Sequence, residues 1–342
     1  MTDDAQPDQS TGQDDRPSDS SEPIELTVEA RAHGWRLDHY LTRLYSSFSR
    51  AAFQRTIVDG GVLVNGLKAK SSHRLRVNDR LSVTLPREPD STIKPENVPL
   101  DIIYEDDALV VINKSAGMIV HPGRGHHTGT LAGALQYHFD SLSDVAGKLR
   151  PGIVHRLDRD TSGVIVVARD NQVHHRLSRQ FEKREVRKEY RAIVIGEVEL
   201  DADHIETHVR VDPKKRERMI ICEPGGNSRS ASTFYEVEER FHGYTHVKLH
   251  PKTGRTHQLR VHMQHLGYPM VADRMYRGGK FLNRDELDAS QERTTLIRRQ
   301  ALHAFRLSFS HPRTDKPMTF EAPLANDMQQ TLDALRELRS RG

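Results

Sequence analysis

Cysteine is almost missing from this chain, since Cys222 is the one cysteine among 342 residues. A single thiol excludes an internal disulfide framework and a cysteine-based metal cluster. The sequence also lacks any run of about 18 consecutive apolar residues, the length that a membrane-spanning helix needs. Its N-terminus lacks the basic and then apolar pattern of a secretory signal. These absences predict a cytoplasmic protein without a membrane partner.

Charge is spread unevenly along the chain, although the formal net charge is only +3. The segment 1–23 has seven acidic residues and one arginine, a net −6, which leaves +9 for the remaining residues. Because that segment has few apolar residues, it is predicted to be a disordered acidic tail. A basic body favours a polyanionic partner. The alternative is a mildly basic protein whose charges simply face water.

A compact basic unit is predicted at 34–86. Apolar residues at helical spacing predict a first helix at its start, and Ser49 has the position of an N-cap for a second helix. Asn65-Gly66 predicts a tight hairpin turn after that helix. Nine basic residues against three acidic ones suit phosphate contacts on RNA, although most charge runs are only solvated. Three prolines predict a linker at 87–99.

The segment 150–169, RPGIVHRLDRDTSGVIVVAR, is the clearest candidate for a functional site. A polar cluster and a turn separate a short apolar run from a buried-looking strand. Rigid strands position loop side chains for chemistry, and a nearby arginine keeps a carboxylate ionised, which makes an oxygen nucleophile without a metal. The residues alone leave Asp158 and Asp160 both open as that nucleophile. Solvated ion pairs on a surface loop are the alternative.

Other candidates are single residues in patterned segments. Tyr190 directly precedes a predicted strand, where a tyrosine is more often packed than functional. Arg255 lies where a helix is predicted to begin, and the helix dipole disfavours a cation there unless an anion is close. Arg260 and His262, further along that helix, are candidates for contact with RNA. The 20 histidines show no metal-binding spacing, so no metal site is predicted.

Four ordered segments resemble the motifs of one enzyme family. They are NKSAG followed by VHP, HRLDRDTSG, KEYRA and TGRTHQLRVH. Together they resemble the RluA/RluD-type pseudouridine synthases, with Ser115 where the first motif commonly has proline, a departure that affects a turn rather than the chemistry. The segment 34–86, through RLDHYL, SRAAFQRTIVDGGVLVNG and NDRLSV, resembles the S4 RNA-binding domain.

The resemblance implies an α+β fold, in which a small S4-like α+β domain precedes a catalytic domain at 100–340. That domain is expected to have a mixed, mainly antiparallel sheet flanked by helices. Matched residue by residue, the resemblance makes Asp158 the nucleophile and Arg255 its ion-pair partner. It puts Tyr190 against the target base, where the family's tyrosine is also proposed as a base. The substrate-binding residues are then expected to be Arg156, His155 and Arg260.

The implied reaction is isomerisation of uridine in RNA without a cofactor, on a base flipped out of its stack. The wording of the motifs most resembles the type that acts on a stem-loop of large-subunit ribosomal RNA. The expected partner is that RNA or a pre-ribosomal particle, and the expected state is a monomer. Two rivals are a non-catalytic S4-type ribosome-assembly factor and a metal-dependent nuclease that uses Asp158 and Asp160.

Overall fold

The computed structural model of the chain describes residues 22–46, 48–85, 93–123, 128–147 and 149–341. The predicted acidic tail lies outside these residues except for its last two positions, and so do positions 87–92 of the predicted linker. The chain divides into two compact units, Met1–Asp90 and Ser91–Gly342. Within the described residues, no helix is both long and apolar enough to cross a membrane.

The first unit packs two helices against a small sheet. Its elements in chain order are β1 (Ile24–Thr27), α1 (Leu37–Leu44), α2 (Arg50–Val58), β2 (Val62–Val64), β3 (Leu67–Lys68) and β4 (Arg80–Val83). The strands form an antiparallel sheet in the order β1-β4-β2-β3. Apolar residues of both helices and of β2 and β4 share one buried core. Strand β1 thus belongs to this sheet, although it lies ahead of residue 34, where the sequence predicts the unit to begin.

Two short sequence patterns in this unit, a helix N-cap and a hairpin turn, form the local structures that the sequence predicts. The Ser49 hydroxyl accepts a hydrogen bond from the Ala52 amide at 3.2 Å, which confirms the predicted N-cap of α2. Asn65 and Gly66, between β2 and β3, have φ of 52° and 80°. A two-residue hairpin turn of this kind needs positive φ at both positions, which Asn-Gly adopts readily.

A buried carboxylate organises the basic surface of the unit. Asp38 in α1 has a fully buried side chain and accepts hydrogen bonds from Arg36, Arg50 and Gln54 at 2.7–3.1 Å. Burial alone would raise the pKa of Asp38, but these hydrogen bonds outweigh it and hold that pKa below its usual range. Asp38 therefore fixes two partly exposed arginines where α1 and α2 begin, at the helix ends that favour phosphate.

The second unit is built on a large sheet. Its first elements are β5 (Asp101–Glu105), β6 (Leu109–Lys114), α3 (Leu131–His138), β7 (Ser162–Ala168), α4 (Asn171–Glu182), β8 (Arg187–Ile195), β9 (Ala202–Val211) and β10 (Met219–Cys222). The others are β11 (Arg229–Phe241), β12 (Tyr244–Pro251), α5 (Gln258–His265), β13 (Leu282–Asn283), α6 (Arg284–Leu287), β14 (Thr295–Ile297), β15 (Leu302–Ser310), β16 (Pro317–Glu321) and α7 (Asn326–Arg339).

Ten of these strands form one sheet, in the order β10-β9-β11-β12-β8-β15-β7-β6-β5, with β16 also paired to β15. Every pairing in this sheet is antiparallel except that of β15 with β7. The predicted mixed, mainly antiparallel sheet is therefore confirmed. β13 and β14 form a separate pair.

Strand β15 lies between β7 and β8 in the sheet. Along the chain, β8 is the next strand after β7, and helix α4 connects them. Its first residues pair in parallel with β7, where His303 lies opposite Ser162. The hydroxyl of Ser162 and Nδ1 of His303 are 2.9 Å apart in a buried hydrogen bond. At Gly163, with φ of 111°, a Cβ would collide with the carbonyl oxygen of Ala304. Ser162 and Gly163 are thus the first residues of β7 rather than part of a turn, and the absence of a Cβ at Gly163 allows the close approach of β15.

Candidate active site

The loop between Ile153 and β7 is fixed by side chains that alternate between the interior and the surface. His155 stacks on Phe181 of α4 with 4.7 Å between ring centroids, and its Nε2 accepts a hydrogen bond from the Val166 amide at 3.1 Å. Leu157 is buried in the core. Arg156 is exposed and Asp158 is partly exposed. His155 therefore packs against α4 and β7, and its contact with substrate stays a prediction.

Asp158 is held by an arginine from helix α5. Nη1 of Arg260 donates to Oδ2 of Asp158 at 3.0 Å. The same guanidinium donates through Nε and Nη2 to both carboxylate oxygens of Asp273, at 2.6 and 2.9 Å. Burial alone would lower the pKa of Arg260, but Asp273 and then Asp158 outweigh it and raise that pKa. Asp273, whose side chain is fully buried, thus aims a permanently charged arginine at Asp158.

The predicted ion pair between Arg255 and Asp158 is therefore wrong. Helix α5 begins at Gln258, so Arg255 lies ahead of its first turn rather than in it. Nε of Arg255 donates to the carbonyl of Ser230 at 3.0 Å, on β11. The partner of Asp158 is instead Arg260, the third residue of α5, whose side chain faces the loop before β7.

Two further predictions concern side chains of helix α5. The side chain of Arg260 is only 7% exposed, and its guanidinium bonds two carboxylates. His262 is fully buried, with its two ring nitrogens 2.9 and 3.0 Å from the hydroxyls of Thr207 and Thr233. His262 therefore supports the site from inside, whereas Arg260 lines the pocket and its contact with substrate stays a prediction.

Sequence reasoning missed three residues of this cluster: His257, Asp273 and Tyr276. His257 has its Nε2 3.8 Å from Oδ2 of Asp158 and its Nδ1 3.2 Å from the hydroxyl of Tyr276. Burial lowers the pKa of His257 despite the charge of Asp158, so the ring is neutral at neutral pH. The ring of Tyr276 lies 5.0 Å below the Arg260 guanidinium carbon.

Asp158, His257 and Arg260 meet in an open pocket of about 120 Å³. It is lined by Arg156, Asp158, Tyr190, Arg255, His257 and Arg260, among others. Tyr190 lies within β8 rather than ahead of it, and its ring packs on the apolar cores on both sides. Burial and then the charge of Asp158 raise the pKa of Tyr190, so its phenol is un-ionised at neutral pH.

The two acidic residues of the HRLDRD segment differ in their surroundings. Asp160 forms a local ion pair in which Nε and Nη2 of Arg159 donate to its two oxygens at 3.1 and 3.2 Å. Among the described residues, hydrogen bonds to the Asp158 carboxylate reach Oδ2 alone. Within the same residues, no group of three or more acidic, histidine or cysteine side chains is arranged to hold a metal ion.

Comparisons with known proteins agree on one family. Residues 108–265 match the family described as RNA pseudouridylate synthase, and residues 35–81 match the S4 domain. YlyB, an uncharacterised RNA pseudouridine synthase of Bacillus subtilis, is 38% identical over 314 residues, which are 92% of this chain and 98% of that protein. The chain belongs to the RNA pseudouridine synthases.

Other relatives of this synthase extend the comparison. Ribosomal large subunit pseudouridine synthase D of Neisseria meningitidis is 39% identical over 320 residues, which are 93% of this chain and 83% of that protein. The solved structures of human RNA pseudouridylate synthase domain containing 1 and 4 share 26% and 28% identity, with TM-scores of 0.51 and 0.52. They cover 72% and 69% of this chain, and 98% and 93% of their own. The predicted family, fold and enzyme class are confirmed.

A buried lysine, Lys114, anchors the loop on which Asp158 lies. Lys114, at the end of β6, is 1% exposed, and its ammonium donates to the carbonyls of Ser115, Met118 and Arg159 at 2.8–3.0 Å. Burial, and then the charge of Arg299, lower the pKa of Lys114 to about 7. The three carbonyls match the three N–H groups of the charged form. Lys114 thereby ties the main chain next to Asp158 to the end of β6.

We expect Lys114→Met to lower the free energy of unfolding by about 3 kcal/mol, because it leaves buried carbonyls without a donor. It should also lower kcat, because the carbonyl of Arg159 adjoins Asp158. Thermal unfolding and turnover of an RNA substrate measure the two effects. The matched control is Lys183→Met, since that side chain is 52% exposed and lies 3.8 Å from Glu185, so a change within about 0.5 kcal/mol is expected. Equal stability of both variants would contradict the anchoring role.

Proposed function

We propose that this synthase converts uridine to pseudouridine in large-subunit ribosomal RNA, with the Asp158 carboxylate as the nucleophile. The observation that carries the proposal is the pairing of Asp158 with the buried Arg260 at 3.0 Å, in a pocket that Tyr190 also lines. The names of relatives such as pseudouridine synthase D of Neisseria meningitidis support the choice of RNA.

The reaction requires the glycosidic bond to break and the uracil to turn and rejoin through carbon. A base cannot react while stacked, so the uridine must be flipped into the pocket, at a cost of a few kcal/mol for unstacking. Asp158, through Oδ1, then attacks C1′ of the sugar or C6 of the base, or assists elimination from the sugar. Arg260 orients the carboxylate through its hydrogen bond to Oδ2 and leaves Oδ1 to face the substrate.

The remaining pocket residues are proposed to bind the substrate. The ring of Tyr190, un-ionised at neutral pH, offers the flipped base a flat packing surface. Arg156 is exposed at the mouth of the pocket, where its guanidinium can grip the flipped nucleotide or fill the gap left in the RNA stack. Arg255, also in the lining, is suited to a phosphate of the substrate strand rather than to Asp158.

The organisation of the whole enzyme follows from this assignment. The S4-like unit at 34–86 is proposed to dock structured RNA, with 87–99 as a linker and 100–340 as the catalytic domain. The acidic tail at 1–23 is proposed to take no part in docking. A monomer in the cytoplasm, without a membrane partner, is the proposed working form. The RNA is encountered either free or within a pre-ribosomal particle.

Mapping pseudouridine in ribosomal RNA tests the proposal. RNA from a strain that lacks the gene is expected to lose pseudouridine at one or a few large-subunit positions, and the purified protein with EDTA is expected to restore them on a transcript. Loss of activity in EDTA, with strand cleavage when Mg²⁺ is added, would instead favour the nuclease. An unchanged map of large-subunit sites would refute the choice of substrate.

A further inference from the structure

The chain has a single tryptophan, Trp35, and the first unit does not use it as a core residue. It lies just ahead of α1 and is partly exposed. Within the described part of this unit, Trp35 is not among the side chains packed on the apolar core, whereas its neighbour Tyr40 is. The largest apolar side chain in the sequence is thus kept at a surface that faces solvent.

The indole is held in place by residues of α1. The ring of His39 stacks on it with 5.4 Å between centroids and 17° between planes. The guanidinium carbon of Arg43 lies 5.4 Å from the indole centroid, and the ring of Tyr40 meets it edge-on at 6.5 Å. His39 and Arg43 are four residues apart on α1 and share one face, and Trp35, ahead of the helix, contacts both, so the three side chains form one ridge. The ridge therefore combines flat aromatic surfaces with a cation.

A cavity of about 310 Å³ adjoins this ridge, which is within the range of small-ligand sites. Trp35, Tyr40 and Leu44 give it apolar walls, and Leu44 is 45% exposed. Arg31 and Arg43 add positive charge. The carboxylate near the cavity is that of Glu29, which pairs with Arg31 at 2.6 Å. Aromatic walls with an arginine rim match a flat ring attached to a phosphate.

We propose that this cavity, the Trp35 site, binds one unstacked nucleobase of single-stranded RNA. Base stacking on aromatic side chains is strong and tolerates any sequence. Arg36 and Arg50 of the same unit, fixed by Asp38, suit phosphates instead. The Trp35 site would therefore let the unit recognise an unpaired nucleotide that flanks a stem. The proposal deepens the proposed function and rests on RNA being the substrate.

Fluorescence of Trp35 tests the proposal directly, because no other tryptophan contributes to the signal. The full-length protein is titrated with an adenosine hexanucleotide, which contains no uridine for the catalytic pocket, and with an abasic ribose-phosphate oligomer of equal length and charge. The hexanucleotide is expected to quench the indole saturably, and the abasic oligomer is expected to leave the signal unchanged. Equal quenching by both, or none by either, would overturn the Trp35 site.

Two variants provide an independent readout. Trp35→Ala is expected to weaken binding of a ribosomal RNA stem-loop with unpaired flanks by between about 5- and 150-fold, the effect of one lost base stack. The salt dependence of binding should stay the same, because no phosphate contact is lost. Trp35→Phe, which keeps a flat ring, should bind within about threefold of the natural protein. Equal affinity of Trp35→Ala and the natural protein would also overturn the site.

The experiments distinguish a failure of the Trp35 site from a failure of the proposed function. Isomerisation of the same stem-loop by the natural protein is measured alongside binding. If uridine is isomerised but Trp35 neither responds to bases nor affects affinity, only the Trp35 site is refuted. If no ribosomal RNA is isomerised but the indole is still quenched by the hexanucleotide alone, the site stands and the choice of substrate is refuted.

Discussion

Replacing Asp158 by asparagine is expected to abolish pseudouridine formation while RNA affinity is retained. The amide keeps the shape of the carboxylate and an oxygen that accepts from Arg260, but it has no negative charge and cannot act as a nucleophile. Asp273 still bonds Arg260 through two N–H groups, so the guanidinium stays in place. Uridine isomerisation on a ribosomal RNA fragment is the decisive measurement, with RNA binding and the melting temperature measured on the same protein.

Asp160→Asn is the matched control, because it removes the second carboxylate of the same loop. Among the residues that the structure describes, its side chain pairs with its neighbour Arg159 alone, and a partly exposed pair of this kind contributes little. Clear activity should therefore remain. Full activity in Asp158→Asn with loss in Asp160→Asn would reverse the assignment, and full activity in both variants would refute carboxylate catalysis by this loop.

Arg260→Gln is expected to lower kcat by about 10²- to 10³-fold, the effect of removing one preorganised charge or donor from an active site. It also leaves Asp273 buried without its cation, and loss of one partner from a buried ion pair costs about 3–5 kcal/mol. Steady-state kinetics give kcat and KM separately, and thermal unfolding gives the loss of stability. Arg260→Lys should recover part of the stability but less of the activity, because an ammonium cannot reproduce the guanidinium's geometry between two carboxylates.

Arg255→Gln distinguishes the observed ion pair from the one expected by resemblance. Since Arg255 bonds a main-chain carbonyl and lines the pocket, its loss should raise KM and leave kcat within about threefold of the natural value. The opposite pattern, in which Arg255→Gln abolishes turnover and Arg260→Gln is tolerated, would show that the pairing changes when RNA binds.

Short-range signals were sufficient to predict many of the elements. Ser49 and the Asn65-Gly66 pair act within a few residues, so their chemistry can be read directly from the sequence. The choice between Arg255 and Arg260 depends on where α5 begins. His257, the residue directly before the helix, has φ of 52°, an uncommon value for a residue other than glycine. No local pattern predicts that conformation, and an error of one turn selects the wrong arginine.

Contacts between distant segments were beyond the reach of the sequence alone. Asp273 has no motif around it that indicated a role, yet it positions Arg260 through two hydrogen bonds. The order of the large sheet was equally hidden, because hydrophobic runs identify strands without saying which strands pair. The family resemblance predicted a mixed, mainly antiparallel sheet. The position of β15 between β7 and β8 could be learned only from the structure.

The position of β15 has a consequence for how the enzyme is made. Without β15, the strand pairings of the large sheet fall into two sets, β5–β7 and β8–β12, and the facing edges on β7 and β8 lack a partner in it. Asp158 precedes β7 of the first set and Tyr190 lies in β8 of the second, so β15 joins in the sheet the two sets that carry the nucleophile and the ring beside it. Such late, long-range pairing slows folding and exposes strand edges that aggregate. A ribosome that stalls before residue 302 would therefore release an inactive, aggregation-prone chain rather than a partly active enzyme.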